Sequence, residues 1–435
     1  DGRVYPAVVD GRVKWIVDGY TTSDAYPYSQ MTDLGEASKD STTESSATVS
    51  ELASKNANYI RNSVKATVDA YDGSVDLYVW DESDPVIKAW QKIFPGQYHQ
   101  LSEISGDLMS HLRYPESLFK VQRELLTKYH VSSASQFFSG EDFWQTPVDP
   151  TESQQAQERD ILQPPYYLTL QTGGSNEPVF SLTSSYIPAG TSTREILTGF
   201  LSVDSDAGHE KGKIGANYGT LRLQELPKDS NVPGPGQAQN NFNASADVSK
   251  ELNLLESGST NVQRGNLLTL PLGGGLVYVQ PVYVKSSGST SFPLLKKVLV
   301  AFGDQVGFAN TLDEALDQVF GGNSGASAGD AENVDGSTSG KTDTSDTNGD
   351  ASTDGSSGTD GTDSSSGTDS GNDSSSGNTG SSSGTMSNGL KSALNDASQA
   401  MKDSDAAMKK GDWSAYGEAQ KKLQEALNKA LELEQ

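Results

Sequence analysis

Glu103, Asp107 and His111 recur at intervals of four residues, a spacing that lines side chains along one face of a helix. Such a line would bind a divalent cation or relay a proton. The same segment carries the apolar stripe Ile104, Leu108 and Leu112, so a solvated polar face on an amphipathic helix explains the three residues without a ligand. A second cluster, Asp81-Glu82-x-Asp84, closes a predicted strand, a place where paired carboxylates serve hydrolases as acid and nucleophile. Asp84 precedes Pro85, which marks it as the N-cap of the next helix and removes one acid from the set. Asp346-x-Asn348-x-Asp350 opens like a calcium loop, but Ala351 stands where that loop requires Gly, and its closing Glu is missing. His99, His111, His130 and His209 lie beside no Ser/Asp pattern of a triad, and no Gly-x-Ser-x-Gly elbow occurs. Gly273-Gly274-Gly275 falls between two predicted strands and reads as a hairpin turn, not a phosphate cradle. Trp15, Tyr20, Tyr26 and Tyr28 are able to stack on sugar rings, although aromatics at such positions more often pack turns or core. No residue is assigned a catalytic role, and no metal or cofactor is expected.

Charge narrows the partners. The 435 residues hold 58 Asp and Glu against 32 Lys and Arg, a net of −26. Phosphate binding needs a Lys/Arg surface that releases counterions, so nucleic acid is excluded as a partner. The absence of cysteine excludes disulfides, thiol nucleophiles and zinc–thiolate sites. No stretch reads as a signal peptide or a membrane span, and the start at Asp1 without Met reads as a fragment of a longer precursor.

The elements that must position these residues fall into a mixed region over 1–163 and a β-rich region over 164–320. Val4–Val9 and Val13–Asp18 flank the turn pair Asp10-Gly11 and read as a hairpin. Val49–Ala70 reads as a helix and Val75–Trp80 as a strand, followed by the helix that Asp84 caps. Ser102–Tyr114 reads as one helix, and Pro115 opens the next, with Leu118, Val121, Leu125 and Tyr129 as its buried face. Strands are expected at Tyr166–Gln171, Val179–Leu182, Leu197–Val203, Tyr218–Leu226, Leu267–Leu270, Leu276–Val284 and Lys297–Phe302. The Pro/Gly run at 232–236 reads as a divider between strands. A final helix starts at the capping box Thr311–Glu314 and stops at Gly321-Gly322.

Residues 321–386 are a Ser/Gly/Thr/Asp tether without aromatic residues. They cannot bury enough apolar area to offset a backbone entropy of about 1–2 kcal/mol per residue, and disorder is expected there. Over 387–435 helical periodicity returns around Gly411-Asp412, which predicts a C-terminal helical hairpin.

Several stretches carry a resemblance: Val13–Asp24 (VKWIVDGYTTSD), His111–Glu116 (HLRYPE) with Leu118-Phe119, and Gly265–Pro271 (GNLLTLP). Tyr278–Tyr283 (YVQPVY), Val300–Gly303 (VAFG) and Gly411–Ala419 (GDWSAYGEA) belong to the same set. The chain resembles the extracytoplasmic region of uncharacterised protein family 0182, large multi-pass membrane proteins of actinobacteria. The resemblance implies several transmembrane helices, commonly seven, ahead of this region, and a location at the cell membrane facing outside. It implies no activity and no site residues.

The fold class expected is α+β, with the mixed region packed against an antiparallel β-rich region. The function expected is that of a non-enzymatic extracytoplasmic scaffold or binding region. Its expected partners are its own transmembrane region and an envelope protein, glycan or lipid. The alternative is an enzyme or transport-accessory domain acting on envelope glycan or lipid through Asp81, Glu82, Glu103 or Asp107.

Overall fold

Asp10 and Gly11 both take positive φ, 49° and 76°, the geometry of the turn that matches the twist of a two-stranded ribbon. They join β1 (Tyr5–Val9) to β2 (Arg12–Ser23). The computed structural model describes residues 1–325 apart from 47–48, 153–159, 172–176, 191–194, 229–230, 257–259, 273–274 and 287–291, and then residues 399, 400, 402, 403, 418, 421, 422 and 429. The chain divides into two units, Asp1–Thr342 and Asp343–Gln435. Of the second, the described residues are helical, with Gln399 donating to the Asp403 carboxylate at 3.0 Å. The rest of the expected hairpin, and the tether from 326 on, lie outside the described residues, as does the calcium-like motif at 346–350.

After β2 come β3 (Thr32–Asp33), α1 (Leu34–Ser38) and α2 (Ser41–Ser45), and then two strands where a helix was expected over Val49–Ala70. These are β4 (Asn56–Ala57) and β5 (Tyr59–Asp69). The reason is a period of two hidden by its polarity. Ser63, Lys65, Thr67 and Asp69 alternate inward, while Val64, Ala66 and Val68 alternate outward. The buried face of this strand is the polar one, so a search for apolar periodicity passes over it. β5 pairs with β2 and with β6 (Val75–Val79), giving an antiparallel sheet in the order β1-β2-β5-β6. The β2–β5 register slips between Gly19 and Tyr20, and this bulge turns Ile16, Asp18 and then Thr21 inward.

α3 (Pro85–Ile93) starts as expected, with Asp84 accepting from the Val86 and Ile87 amides. The single helix expected over Ser102–Tyr114 is broken. A 3-10 turn at Leu101–Glu103 ends before Ser105, which caps α4 (Gly106–His111). A Cβ at Gly106 would meet the His209 carbonyl at 2.6 Å, so that loop contact requires glycine. α5 (Glu116–Tyr129) follows Pro115, and α6 (Ala134–Ser139) ends at Gly140 with φ 70°.

A second antiparallel sheet runs β11-β10-β9-β7, with β8 also on β9. Its strands are β7 (Trp144–Gln145), β8 (Tyr166–Leu170), β9 (Val179–Pro188), β10 (Gly199–Asp204) and β11 (Leu221–Glu225). α5 packs on it through Leu118 and Phe119 against Leu182, Tyr186 and Leu201. The 232–236 run does not merely divide strands. Pro235 is the first residue of α7 (Pro235–Ala244), where its missing N–H costs nothing, and α8 (Ala246–Leu255) follows.

The third sheet runs β12-β14-β15-β16, with β13 on β14. Its strands are β12 (Thr260–Arg264), β13 (Leu268–Leu272), β14 (Gly275–Ser286), β15 (Leu294–Phe302) and β16 (Gln305–Ala309). α7 and α8 cover one face through Phe242, Val248 and Leu252, over Tyr278, Val282, Leu299 and Ala301. α9 (Leu312–Val319), capped by Thr311, covers the other over Val277, Val279, Val298 and Val300. Coverage on both faces explains why Val298–Ala301 reads as an unbroken apolar run. The fold is α+β. Among the described residues no helix is long and apolar enough to cross a membrane.

Candidate functional site

The residues that sequence spacing grouped do not form one site. Glu103 sits in the 3-10 turn, bonded to the Gln100 amide (2.7 Å) and to His99 Nδ1 (3.1 Å). Asp107, beyond the break, accepts from the Asp10 amide and lies 3.9 Å from His111 Nε2. The break at Ile104-Ser105 removes the shared face, and among the described residues no group of three His, Cys, Asp or Glu is placed to hold a metal ion. Asp81 pairs with Arg61 at 2.9 Å. Asp84 is fully buried and accepts from Thr21, Ser63 and Tyr59 hydroxyls, each at 2.6 Å, besides its two cap amides. It is the knot that ties β2, β5 and α3 together. Tyr20 is not free to stack on a sugar, since its hydroxyl is held by the Asp1 carboxylate at 2.6 Å.

The inward polar face of β5 leads to the most concentrated chemistry in the molecule. Lys65 is fully buried, pairs with Asp18, and donates to the Arg113 carbonyl at 2.9 Å. Its ammonium lies 5.1 Å from the Trp80 ring centroid. The Arg113 guanidinium is held between the rings of Tyr5 and Tyr167, at 3.9 and 4.4 Å. Burial pulls the Lys65 pKa down, and the Asp18 carboxylate opposes that shift.

A second buried network runs along α5, whose inward residues include Glu116, Lys120, Arg123 and Thr127. Lys120 lies between Asp40 at 2.5 Å and Glu116 at 3.1 Å, and Arg3 reaches Glu116 at 2.7 Å. Arg123 donates to the Gln163 carbonyl at 2.9 Å and to Ser184 at 3.3 Å. The expected apolar face of α5 is therefore turned differently. Leu118 and Val121 are buried, but Tyr129 is half exposed. Recurrence of Glu116, Lys120, Arg123 and Thr127 at helical spacing was the available signal, and charge disguised it as a solvated face.

These groups set a pH window. Burial alone would raise Asp84 and Asp40, but the hydroxyl bonds to Asp84 and the Lys120 charge beside Asp40 outweigh it, and both are held below 3.8. Their contribution to stability is complete above that value and is lost as pH falls through the lowered ones. For Tyr59, burial and then its bond to Asp84 push the pKa from 10.0 to about 12, so its contribution is lost as pH rises through that range. Thermal midpoints followed by circular dichroism are expected to hold level from about pH 5 to pH 9 and to fall on both sides. A midpoint that keeps rising below pH 4 would contradict this assignment.

Where α5 turns its outer side toward β4 and β5, it leaves a groove of about 520 Å³. The floor is aliphatic: Leu34, Ala57, Ile60, Leu118, Val121 and Leu125. The rim carries Tyr26, Tyr59 and Tyr129 with the amides of Gln30, Asn58 and Gln122. Tyr26 stacks on Tyr59 with centroids 5.9 Å apart, and Arg61 lies 5.7 Å over the same ring. The Asn58 side chain donates to the Tyr26 carbonyl at 2.7 Å and accepts from its amide at 3.0 Å, which fixes the loop. Tyr28 in that loop is fully exposed at φ 55°, a backbone region rare for a bulky residue and a common mark of functional loops. Of the aromatics singled out from sequence, Tyr26 reaches the groove, while Trp15 lies on β2, half exposed, outside its lining. Tyr59, Gln122 and Tyr129 were missed, because their convergence depends on β5 being a strand.

Comparison with known proteins places this geometry among relatives without an assigned activity. The model of an uncharacterised protein family, UPF0182, matches residues 1–255. A UPF0182 protein of Bifidobacterium adolescentis is 88% identical over 435 residues, covering all of this chain and 40% of the relative. One from Bifidobacterium longum is 81% identical over 434 residues, covering all of this chain and 39% of the relative. One from Leifsonia xyli is 58% identical over 437 residues, covering all of this chain and 43% of the relative. The chain thus spans about 40% of the length of the curated relatives it matches. No solved structure matches it.

Proposed function

This chain belongs to the uncharacterised protein family UPF0182, and from there we propose that it is an extracytoplasmic, non-enzymatic binding region that holds a neutral envelope glycan in the groove over α5. The larger part of each relative lies outside the matched length, and in this reading that part carries the membrane-spanning helices. The observation that carries the reading is the lining of the groove. It offers three tyrosine rings, the side-chain amides of Gln30 and Gln122 and an aliphatic floor, and among the described residues the one charged side chain lining it, Arg61, is already paired with Asp81. Rings take the C–H face of a sugar, amides take its hydroxyls, and a compensated charge gives an ionic ligand no counterpart. The acids nearest by are committed to structure, Asp81 to Arg61 and Asp84 to its five donors, which favours binding over hydrolysis.

The test is a thermal-shift titration of the full chain with N-acetylglucosamine oligomers, neutral hexose oligomers and an anionic wall polymer. A neutral oligomer at a hundred times its Kd stabilises the fold by about 2.7 kcal/mol. Tyr26→Ala or Tyr129→Ala is expected to weaken that ligand about tenfold, the loss of a ring contact of about 1 kcal/mol or more, while the ligand-free midpoint falls only by the loss of the Tyr59 or Phe137 ring contact. A response to the anionic polymer alone, or equal affinity in both variants, would count against the groove.

A further inference from the structure

The third sheet ends in a surface of different character from the rest of the chain. Residues 257–303 contain no Asp or Glu, yet carry Arg264, Lys285, Lys296 and Lys297, in a protein of net charge −26. Within this run one end of the β14–β15 ribbon is exposed, while α7 and α8 pack on Tyr278, Val282, Leu299 and Ala301 farther along the two strands. Val284 lies opposite Leu294 and Tyr283 opposite Leu295. Adjacent strand residues point to opposite faces, and here both faces are bare: Leu294 is 59% exposed, Leu295 48%, and Phe292 just before them 82%. The connecting residues 287–291 lie outside the described residues. Lys297 is committed to Glu251 at 2.5 Å. Among the described residues no acid pairs with Lys285 or Lys296.

We propose that this end of the β14–β15 ribbon is a contact surface for an anionic lipid bilayer. Phe292, Leu294 and Leu295 would enter the headgroup boundary, and Lys285 and Lys296 would meet the lipid phosphates. Charge complementarity selects this occupant. Three large apolar side chains and two unpaired ammonium groups at one tip match a surface that is apolar inside and negative outside. Glu251 is balanced by Lys297, and acids farther from the surface than about 8 Å are screened at physiological salt. They act instead to orient the molecule, turning other faces away from the bilayer. The inference does not depend on what the groove over α5 binds.

Flotation of the full chain with vesicles tests it, comparing phosphatidylglycerol and phosphatidylcholine in equal parts with phosphatidylcholine alone. The chain is expected to float with the anionic vesicles and to dissociate as salt is raised. Lys285→Gln with Lys296→Gln is expected to lower the partition about thirtyfold. Phe292→Ser with Leu295→Ser is expected to lower it about tenfold or more. All four positions are outside the core, so both double variants keep the native thermal midpoint. No flotation with anionic vesicles overturns the proposal, and so does flotation that neither double variant reduces, or that is equal on neutral vesicles.

Discussion

Replacing Lys120 by methionine is expected to lower the stability of the fold by about 3–5 kcal/mol. Lys120 is almost completely buried between Asp40 and Glu116, and methionine fills its volume while removing the charge. Glu116 retains Arg3. Asp40 retains the Thr42 and Thr43 amides but loses its paired cation. The penalty is thus the cost of a carboxylate left in a poorly solvating interior, not the net worth of the original pair. Denaturant unfolding measures it. A loss under about 1 kcal/mol would mean that water reaches this part of α5.

Lys65→Met is expected to cost a similar amount, about 3–5 kcal/mol, because Asp18 would lose the partner on which its burial depends. The double variant Lys65→Met/Asp18→Leu separates two explanations. If the pair is an electrostatic match with little net benefit, the apolar double variant recovers most of the loss. If the surround of the Trp80 and Tyr218 rings and the Arg113 carbonyl requires the ammonium, the double variant stays as unstable as the single one. The position of Lys65 within 5.1 Å of the Trp80 centroid and hydrogen-bonded to Arg113 favours only partial recovery. The methylene stem of Lys65 is easily replaced, whereas its donation to a buried carbonyl is not.

How far the sequence reveals this molecule depends on whether polarity and periodicity agree. They agree at the Asp10-Gly11 hairpin, at the Asp84 cap, and along β14, β15 and α9, and each of those elements lies where its pattern puts it. They disagree at β5 and α5, where Lys65, Glu116, Lys120 and Arg123 occupy the inner face. A reading that assigns charge to solvent turns β5 into a helix and rotates α5. The groove then disappears from view, because its rim combines Tyr59 of β5 with Gln122 and Tyr129 of α5. Tyr26 was legible as an exposed aromatic but not as part of a site. Its partner in the stack lies 33 residues away, across a pairing that the misread strand conceals. The cluster of Glu103, Asp107 and His111 failed for the opposite reason. Its spacing was helical, but Ser105-Gly106 restarts the helix in the middle of it.

Tyrosine-ring NMR of the full chain reports most directly on whether the groove over α5 binds a neutral glycan. On titration with neutral oligosaccharides, the ring resonances of Tyr26, Tyr59 and Tyr129 are expected to shift together and saturably. Those of the buried Tyr186 and Tyr278 are expected to stay in place. Rings at the groove that do not respond to any neutral oligomer, or that respond only to a charged polymer, would contradict the claim.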